Sequence, residues 1–129
     1  MSAALALPRT ARLLRPADFA TLRREGRRLP PTRSFYVEFV DASDGARLGM
    51  AVSRRVSKLA VVRNRIRRTV RESFRLHRAL LPSFDILVVA RQHAAARTNA
   101  ELRGELTTIW HKLAALKETG TPGTMRAEQ

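Results

Sequence analysis

The amino-acid sequence contains no cysteine in its 129 residues, which excludes disulfide bonds, thiolate metal sites and cysteine nucleophiles. Lysine is also rare, because only Lys58, Lys112 and Lys117 contribute to the 25 basic residues and the others are arginine. Acidic residues number only 11, so the formal net charge is +14. This excess of positive charge says nothing about the fold, but it indicates a polyanionic partner such as a nucleic acid.

Long apolar runs are missing as well. The longest in the interior, Ile86 to Ala90, has five residues, whereas a transmembrane helix needs about 20. The apolar stretch at the N-terminus is too short for a secretory signal peptide. We therefore expect no membrane association and a cytoplasmic location. The length suits a single domain, 1–129, with frayed tails at about 1–12 and 119–129, where the residues follow no periodic pattern.

Apolar residues at helical spacing predict a helix near each end of the domain. The first has Pro16 in its first turn and Phe19 and Leu22 on its apolar face. The last is capped by Thr98 or Asn99. Its apolar stripe consists of Leu102, Leu106, Ile109, Trp110, Leu113 and Leu116.

Strands are predicted between these helices, which makes the fold class α+β. Residues 34–41 alternate, with one face formed by Phe35, Val37 and Phe39 and the other by Tyr36, Glu38 and Val40. Alternation resumes at 48–52 after a turn at 41–45, so 34–53 is predicted to form a hairpin. The apolar run from Phe84 to Ala90 is rich in β-branched residues and is typical of a strand buried on both faces.

Positive charge is concentrated between Arg54 and Arg78, where ten basic residues are accompanied by one acid, Glu72. Helical spacing gives this segment an apolar side that includes Val62, Ile66, Val70 and Phe74. The other side carries a series of like charges four residues apart, Arg63, Arg67, Arg71 and Arg75. Each such pair costs a few tenths of a kcal/mol, so a helix selected for stability alone would interleave glutamate. We therefore predict a phosphate-binding face; the alternative is an ordinary solvated helix face.

The run from Ala60 to Arg68, Ala-Val-Val-Arg-Asn-Arg-Ile-Arg-Arg, resembles the signature motif of the bacterial ribonuclease P protein family. The matching residues are Ala60, Arg63, Asn64, Arg65, Ile66, Arg67 and Arg68. Further similarity is found at Leu14 to Phe19, at Leu48 to Arg55 and at Phe84 to Ala90. The resemblance covers roughly residues 12–117 in order, so it is far more specific than a lone Arg-Asn-Arg.

The resemblance implies a two-layer α+β sandwich with the order helix, three strands, helix, strand, helix. A four-stranded sheet is expected, in which the basic helix forms a left-handed crossover between parallel strands, against the general rule. A short edge strand is expected near Arg27 to Leu29. The implied function is that of the protein component of an endoribonuclease: to bind the catalytic RNA of ribonuclease P and the 5′ leader of precursor tRNA, and to help the RNA remove this leader. Mg²⁺ is required through the RNA.

The resemblance also assigns candidate site residues. Contacts to the catalytic RNA, chiefly from the arginines to its backbone phosphates, are expected from Arg54, Arg55, Lys58, Arg63, Asn64, Arg65, Arg67, Arg68, Arg71 and Arg75. The single-stranded leader is expected in a cleft between the first helix and the sheet, where Phe19 and Tyr36 would stack on bases. Arg23 stands where the family often has a second aromatic residue, which suggests a more electrostatic grip. The alternative for Phe19 is simple packing against the sheet.

The sequence offers no catalytic constellation of its own. His77, His93 and His111 lack metal-ligand spacing, and there is no Gly-rich phosphate loop. We therefore expect no catalytic or metal-binding residues, a protein that is inactive alone, and no obligate protein partner. Two alternatives remain: a structural RNA-binding protein of ribosomal type, and a DNA-binding helix protein, which is disfavoured because no helix-turn-helix spacing precedes the basic helix.

Overall fold

The computed structural model describes residues 11–12, 16–43 and 45–118. Along the chain these residues form the elements α1 Pro16–Glu25, β1 Arg27–Arg28, β2 Phe35–Asp41, β3 Arg47–Ala51, α2 Ala60–His77, β4 Phe84–Ala90 and α3 Asn99–Glu118. Short 3-10 turns at Arg78–Leu80 and Gln92–Ala96 flank β4. This order confirms the expected one, including the edge strand. Leu14, Asp44 and most of both predicted tails lie outside the described residues.

The four strands form one sheet in the order β1-β2-β4-β3. Strand β2 pairs antiparallel with β1 and with β4, and β3 pairs parallel with β4. The α2 helix therefore connects two neighbouring parallel strands, as the resemblance implied; the left hand of this crossover stays a prediction.

The predicted hairpin over 34–53 is wrong, because β4 lies between β2 and β3. The segment after β2 passes the start of β4 instead of turning back. Backbone N–H groups of Ala42 and Gly45 donate hydrogen bonds to the carbonyl oxygen and the hydroxyl of Ser83, at 2.8 and 3.1 Å. Gly45 has a φ of +83° there, which glycine adopts at no steric cost. Strand β4 is apolar on both faces, so it buries more apolar surface in this central position than β3 would.

The main core lies between the sheet and the layer formed by α2 and α3. Phe35, Val37 and Phe39 point into it and are at most 3% exposed, which confirms the predicted faces of β2. The predicted stripe of α3 is buried in the same core, except for Leu116, which is partly buried and packs against it. Trp110 Nε1 donates a hydrogen bond to Ser73 Oγ at 2.8 Å, which links α3 to α2.

Helix α1 lies on the opposite face of the sheet and adds a partial third layer to the expected two. Leu22 packs against Leu87, and Phe19, Val40 and Val89 surround this small second cluster. The sheet is therefore covered on one face by α2 and α3 and only partly on the other by α1.

The ends of the described chain show two further features. Ala11 and Arg12 were expected in the N-terminal tail, yet Ala11 is fully buried and Arg12 forms a parallel bridge with Leu48. Thr98 caps α3: its hydroxyl accepts a hydrogen bond from the Glu101 N–H at 3.1 Å, and the Glu101 carboxylate accepts one from the Thr98 N–H at 2.9 Å. In the described part of the chain, no helix is both long and apolar enough to cross a membrane.

Candidate nucleic-acid interface

Helix α2 divides into two sides as its sequence predicts. Its buried residues are Ile66, Thr69, Val70, Ser73 and Phe74. The opposite side exposes Asn64, Arg68 and Arg71 to solvent. The first turn contains no acid, and Leu59 at the N-cap makes no side-chain capping bond. The positive end of the helix dipole is therefore not offset by a carboxylate of the first turn or a capping side chain.

Two arginines near the start of α2 are held by neutral acceptors. Arg63 donates a hydrogen bond to the carbonyl oxygen of Ser57 at 2.9 Å. Arg65 donates to the side-chain oxygen of Asn99 at 2.7 Å and to the carbonyl oxygen of Ala95 at 3.2 Å. These bonds fix the direction of each side chain and leave its positive charge uncompensated.

Two arginines further along the chain are also held by neutral acceptors. Arg67 donates to the carbonyl oxygen of Val52 at 3.4 Å and to the side-chain oxygen of Asn64 at 3.3 Å. Arg78 donates to the carbonyl oxygen of Ala46 at 2.9 Å. Arginines that keep their charge thus attach α2 and the residue after it to the two residues that flank β3, Ala46 and Val52.

Five basic side chains of the segment have no hydrogen-bond or ion-pair partner among the described residues, and all are exposed: Arg54, Arg55, Lys58, Arg68 and Arg71. Arg75 is half-buried, and its Nε has no partner in the described part of the chain. Every ion pair found between described residues lies outside 54–78 and uses Arg24, Arg27, Arg28, Arg47 or Arg97. The acids of the fold therefore leave this basic face unneutralised.

A second region lies where α1 covers the sheet, and Arg47 anchors the start of that helix. Its guanidinium donates two hydrogen bonds of 2.7 Å to Asp85 on β4 and one of 3.4 Å to Asp18 on α1. The hydrogen bonds to Asp85 raise the pKa of Arg47, against the opposing effect of burial. This contact fixes α1 at one end of the sheet face.

The predicted leader residues occupy this region. Phe19 is half-buried and packs against the Leu22–Leu87 cluster, as the packing alternative for this residue expects. Tyr36 is half-buried on the same sheet face, opposite Val89. Arg23 is exposed on α1 and has no partner in the described residues.

Two residues beside Tyr36 were not assigned a role from the sequence. The Arg28 guanidinium lies 5.3 Å from the centre of the Tyr36 ring, and its Nε donates a hydrogen bond to Glu38 Oε2 at 3.1 Å. Glu38 is only 7% exposed. The sequence signal that could have pointed to this pair is the carboxylate of Glu38 on the second face of an alternating strand. An acid that is buried there requires a partner.

The three histidines form no metal site with the other residues that the structure describes. His77 Nδ1 lies 2.8 Å from the Ser73 carbonyl oxygen, and its ring is 6.3 Å from that of His111. No group of three or more His, Asp or Glu residues in the described ranges could hold a metal ion. The guanidinium groups that dominate the basic face are donors and do not ligate hard cations such as Mg²⁺.

The fold and its unneutralised basic face define a small α+β protein of the class whose charge suits a nucleic-acid partner. The family model described as Ribonuclease P matches residues 7–114, and the chain belongs to this family. This chain is 38% identical over 120 residues to the ribonuclease P protein component of Marinobacter nauticus, covering 92% of this chain and 90% of that protein. Identity to the ribonuclease P protein component of Desulforapulum autotrophicum is 43% over 108 residues, covering 82% and 91%.

Solved structures agree with this assignment. The RNase P protein of Staphylococcus aureus matches with a TM-score of 0.73 at 33% identity, over 81% of this chain and 94% of that one. The RNase P protein of Thermotoga maritima matches with a TM-score of 0.69 at 31% identity, over 78% and 96%. A protein component of ribonuclease P implies an RNA partner in a ribonucleoprotein.

Proposed function

We propose that this chain is the protein subunit that binds the catalytic RNA of ribonuclease P and the 5′ leader of precursor tRNA. In this role it assists the endonucleolytic removal of the leader in the cytoplasm, without an obligate protein partner. The observation that carries the proposal is the unneutralised basic face of α2: no basic residue between Arg54 and Arg78 forms an ion pair with any acid in the described structure.

The catalytic RNA is bound by phosphate contacts. Arg68 and Arg71 are exposed and free to reach phosphates, and neutralising these phosphates releases condensed counterions. Arg63, Arg65 and Arg67 are held in place by neutral acceptors and present charge at fixed positions. The remaining contacts come from Arg54, Arg55, Lys58, Asn64 and Arg75.

The leader is bound on the sheet face next to α1. Tyr36 offers a half-buried aromatic ring for base stacking, Phe19 closes the apolar end of this surface, and Arg23 contributes a free positive charge. Phosphate contacts on one side of the sheet and base stacking on the other would let one small protein hold both RNAs.

The hydrolytic chemistry belongs to the RNA. The RNA would hold the Mg²⁺ that this chemistry requires, since the guanidinium groups of the basic face are donors and do not ligate it. The protein contributes positive charge that lowers the repulsion between the catalytic RNA and its substrate. A structural RNA-binding protein of ribosomal type would share the basic helix, but the family matches do not favour that alternative.

The test is reconstitution. The purified protein is combined with in vitro transcribed ribonuclease P RNA, and cleavage of a precursor tRNA is followed at a low Mg²⁺ concentration at which the RNA alone is inactive. We expect the protein to restore cleavage at the mature 5′ end. A protein that binds the RNA tightly but restores no cleavage would support the structural alternative, and cleavage by RNA-free protein would contradict the assignment of chemistry to the RNA.

A further inference from the structure

A nearly buried carboxylate lies on the sheet face proposed to bind the leader. Glu38 is 7% exposed and stands on β2 between Tyr36 and Val40 on that face. Burying an acid is costly unless it is paired, and an acid beside a polyanion is also repelled by phosphates. Its presence therefore calls for a chemical role.

Among the described residues, only one oxygen of this carboxylate has a partner. Arg28 Nε donates a hydrogen bond to Glu38 Oε2 at 3.1 Å, and Arg28 Nη2 lies 3.0 Å from the same oxygen. Oε1 accepts no hydrogen bond from any described residue. The Arg28 guanidinium also lies 5.3 Å from the centre of the Tyr36 ring. An aromatic ring, a planar cation and a free carboxylate oxygen thus lie together.

This group has the chemistry to distinguish bases. Unpaired RNA bases stack on aromatic rings and guanidinium planes and present their edges to nearby polar groups. An ionised carboxylate only accepts hydrogen bonds, so it favours a base with an exocyclic amino group, as glutamate does with cytosine N4. Uracil has no amino group, and the carbonyl oxygens that flank its one N–H would face the negative charge.

We propose that Glu38 selects the leader nucleotide whose base stacks at Tyr36, by accepting a hydrogen bond from an exocyclic amino group at Oε1 and disfavouring uracil. Arg28 is a positioning residue that holds Oε2 and so directs Oε1. This inference rests on the proposed leader site and names the class of nucleotide that the site prefers.

The chain contains a matched control for a merely structural role. Arg27 and Asp41 form a second arginine–carboxylate pair between β1 and β2, at 3.2 Å. The Arg27 guanidinium lies 4.8 Å from the Phe39 ring, on the side of the sheet that faces the main core. If Arg28 and Glu38 only tie the two strands together, removing either carboxylate charge should have the same effect on RNA binding.

The experiment measures the affinity of the assembled holoenzyme for precursor tRNAs that differ in one leader nucleotide. Each of several leader positions is tested as A, C, G and U, with mature tRNA as the reference. At one position we expect the wild type to bind the uridine form about tenfold more weakly than the others. In Glu38→Gln this difference should fall below about twofold, because an amide also donates to uracil oxygens. Asp41→Asn should keep the wild-type preference.

The outcomes separate this inference from the proposed function. If leader-bearing precursors bind more tightly than mature tRNA but without base preference, or if Glu38→Gln keeps the full preference, only the role of Glu38 is overturned. If precursor and mature tRNA bind equally, the leader site fails and the inference with it. Should Glu38→Gln not fold, Glu38→Asp keeps the charge and withdraws the carboxylate by one methylene group; an undiminished preference in that variant would also overturn the proposal.

Discussion

The carboxylate of Glu105 on α3 accepts two hydrogen bonds from Ser34, one from its backbone N–H at 2.9 Å and one from its hydroxyl at 2.6 Å. Ser34 directly precedes β2, and Arg97 donates to the same carboxylate at 3.2 Å. This contact joins the helical layer to the strand that carries Tyr36 and Glu38. The position of the proposed leader site therefore depends on an acid far from it in sequence.

Lowering the pH should weaken the contact between Ser34 and Glu105. Burial raises the pKa of Glu105, but hydrogen bonds from Ser34 and Thr32 and the charge of Arg97 outweigh it and lower the pKa below its ordinary value of 4.5. The stabilisation is therefore complete above pH 4.5 and is lost as the pH falls through the lowered value. Glu105→Gln should cost about 1–3 kcal/mol of unfolding free energy at pH 7 and should lose less on acidification than the wild type. Denaturant titrations at pH 7 and pH 3 measure the unfolding free energy and its loss on acidification, with the exposed Glu72→Gln as control. If the stability of the wild type and of Glu105→Gln depended equally on pH, the proposed role of the Glu105 carboxylate would be wrong.

Two glycines should respond to alanine in opposite directions. A Cβ at Gly26 would lie 2.3 Å from the carbonyl oxygen of Leu22, which is backbone and cannot move aside without disturbing the end of α1. Gly26→Ala should therefore destabilise the protein by about 1–3 kcal/mol. Gly104 is exposed within α3 and has nothing within 4 Å of a Cβ, so Gly104→Ala should stabilise by about 0.5–1 kcal/mol. Thermal melts of both variants check this, and a stabilised Gly26→Ala would show that α1 ends differently.

The sequence predicted what depends on local periodicity. The two sides of α2, the stripe of α3 and the alternation of 34–41 follow from side-chain direction in a regular helix or strand. The motif from Ala60 to Arg68 predicted the family, and the match of the family model to residues 7–114 confirms it. The pairing of β2 with β4 was missed, because the choice of a strand's neighbour depends on residues distant in sequence, here Ser83 and the segment it holds.

The arginines of α2 illustrate a second limit. Spacing placed them on one face, but it could not show that Arg63, Arg65 and Arg67 each bind a carbonyl or amide oxygen of another segment while Arg68 and Arg71 bind none. The same holds for Glu38, whose face was correctly predicted and whose partner was not. Such contacts arise only when segments far apart in sequence come together.

The free arginines allow RNA binding to be separated from stability. Replacing Arg68 and Arg71 with alanine should lower the affinity for the catalytic RNA and reduce the slope of log affinity against log salt by about two. The fold should be unchanged or slightly more stable, because neither side chain has a partner in the described residues and like-charge repulsion is relieved. Filter binding across a salt series and a thermal melt test this. The matched control is Arg103→Ala with Lys112→Ala, which removes the same charge from exposed positions on α3 and should leave the slope nearer the wild type. A melting temperature many degrees lower would show that Arg68 and Arg71 are structural.

Replacing Tyr36 should weaken binding of the substrate and leave assembly with the catalytic RNA unchanged. Its ring is half-buried on the sheet face next to α1, away from the main core, and stacking of a base on such a ring contributes about 1–3 kcal/mol. The Tyr36→Ala holoenzyme should therefore bind leader-bearing precursor tRNA roughly five- to 150-fold more weakly, whereas its affinity for mature tRNA and for the catalytic RNA stays the same. Tyr36→Phe keeps the ring and should behave like the wild type. Binding of precursors with leaders of several lengths measures the effect: a loss that is equal with and without a leader would remove Tyr36 from the site, and an unfolded Tyr36→Ala protein would show that the ring is needed for folding.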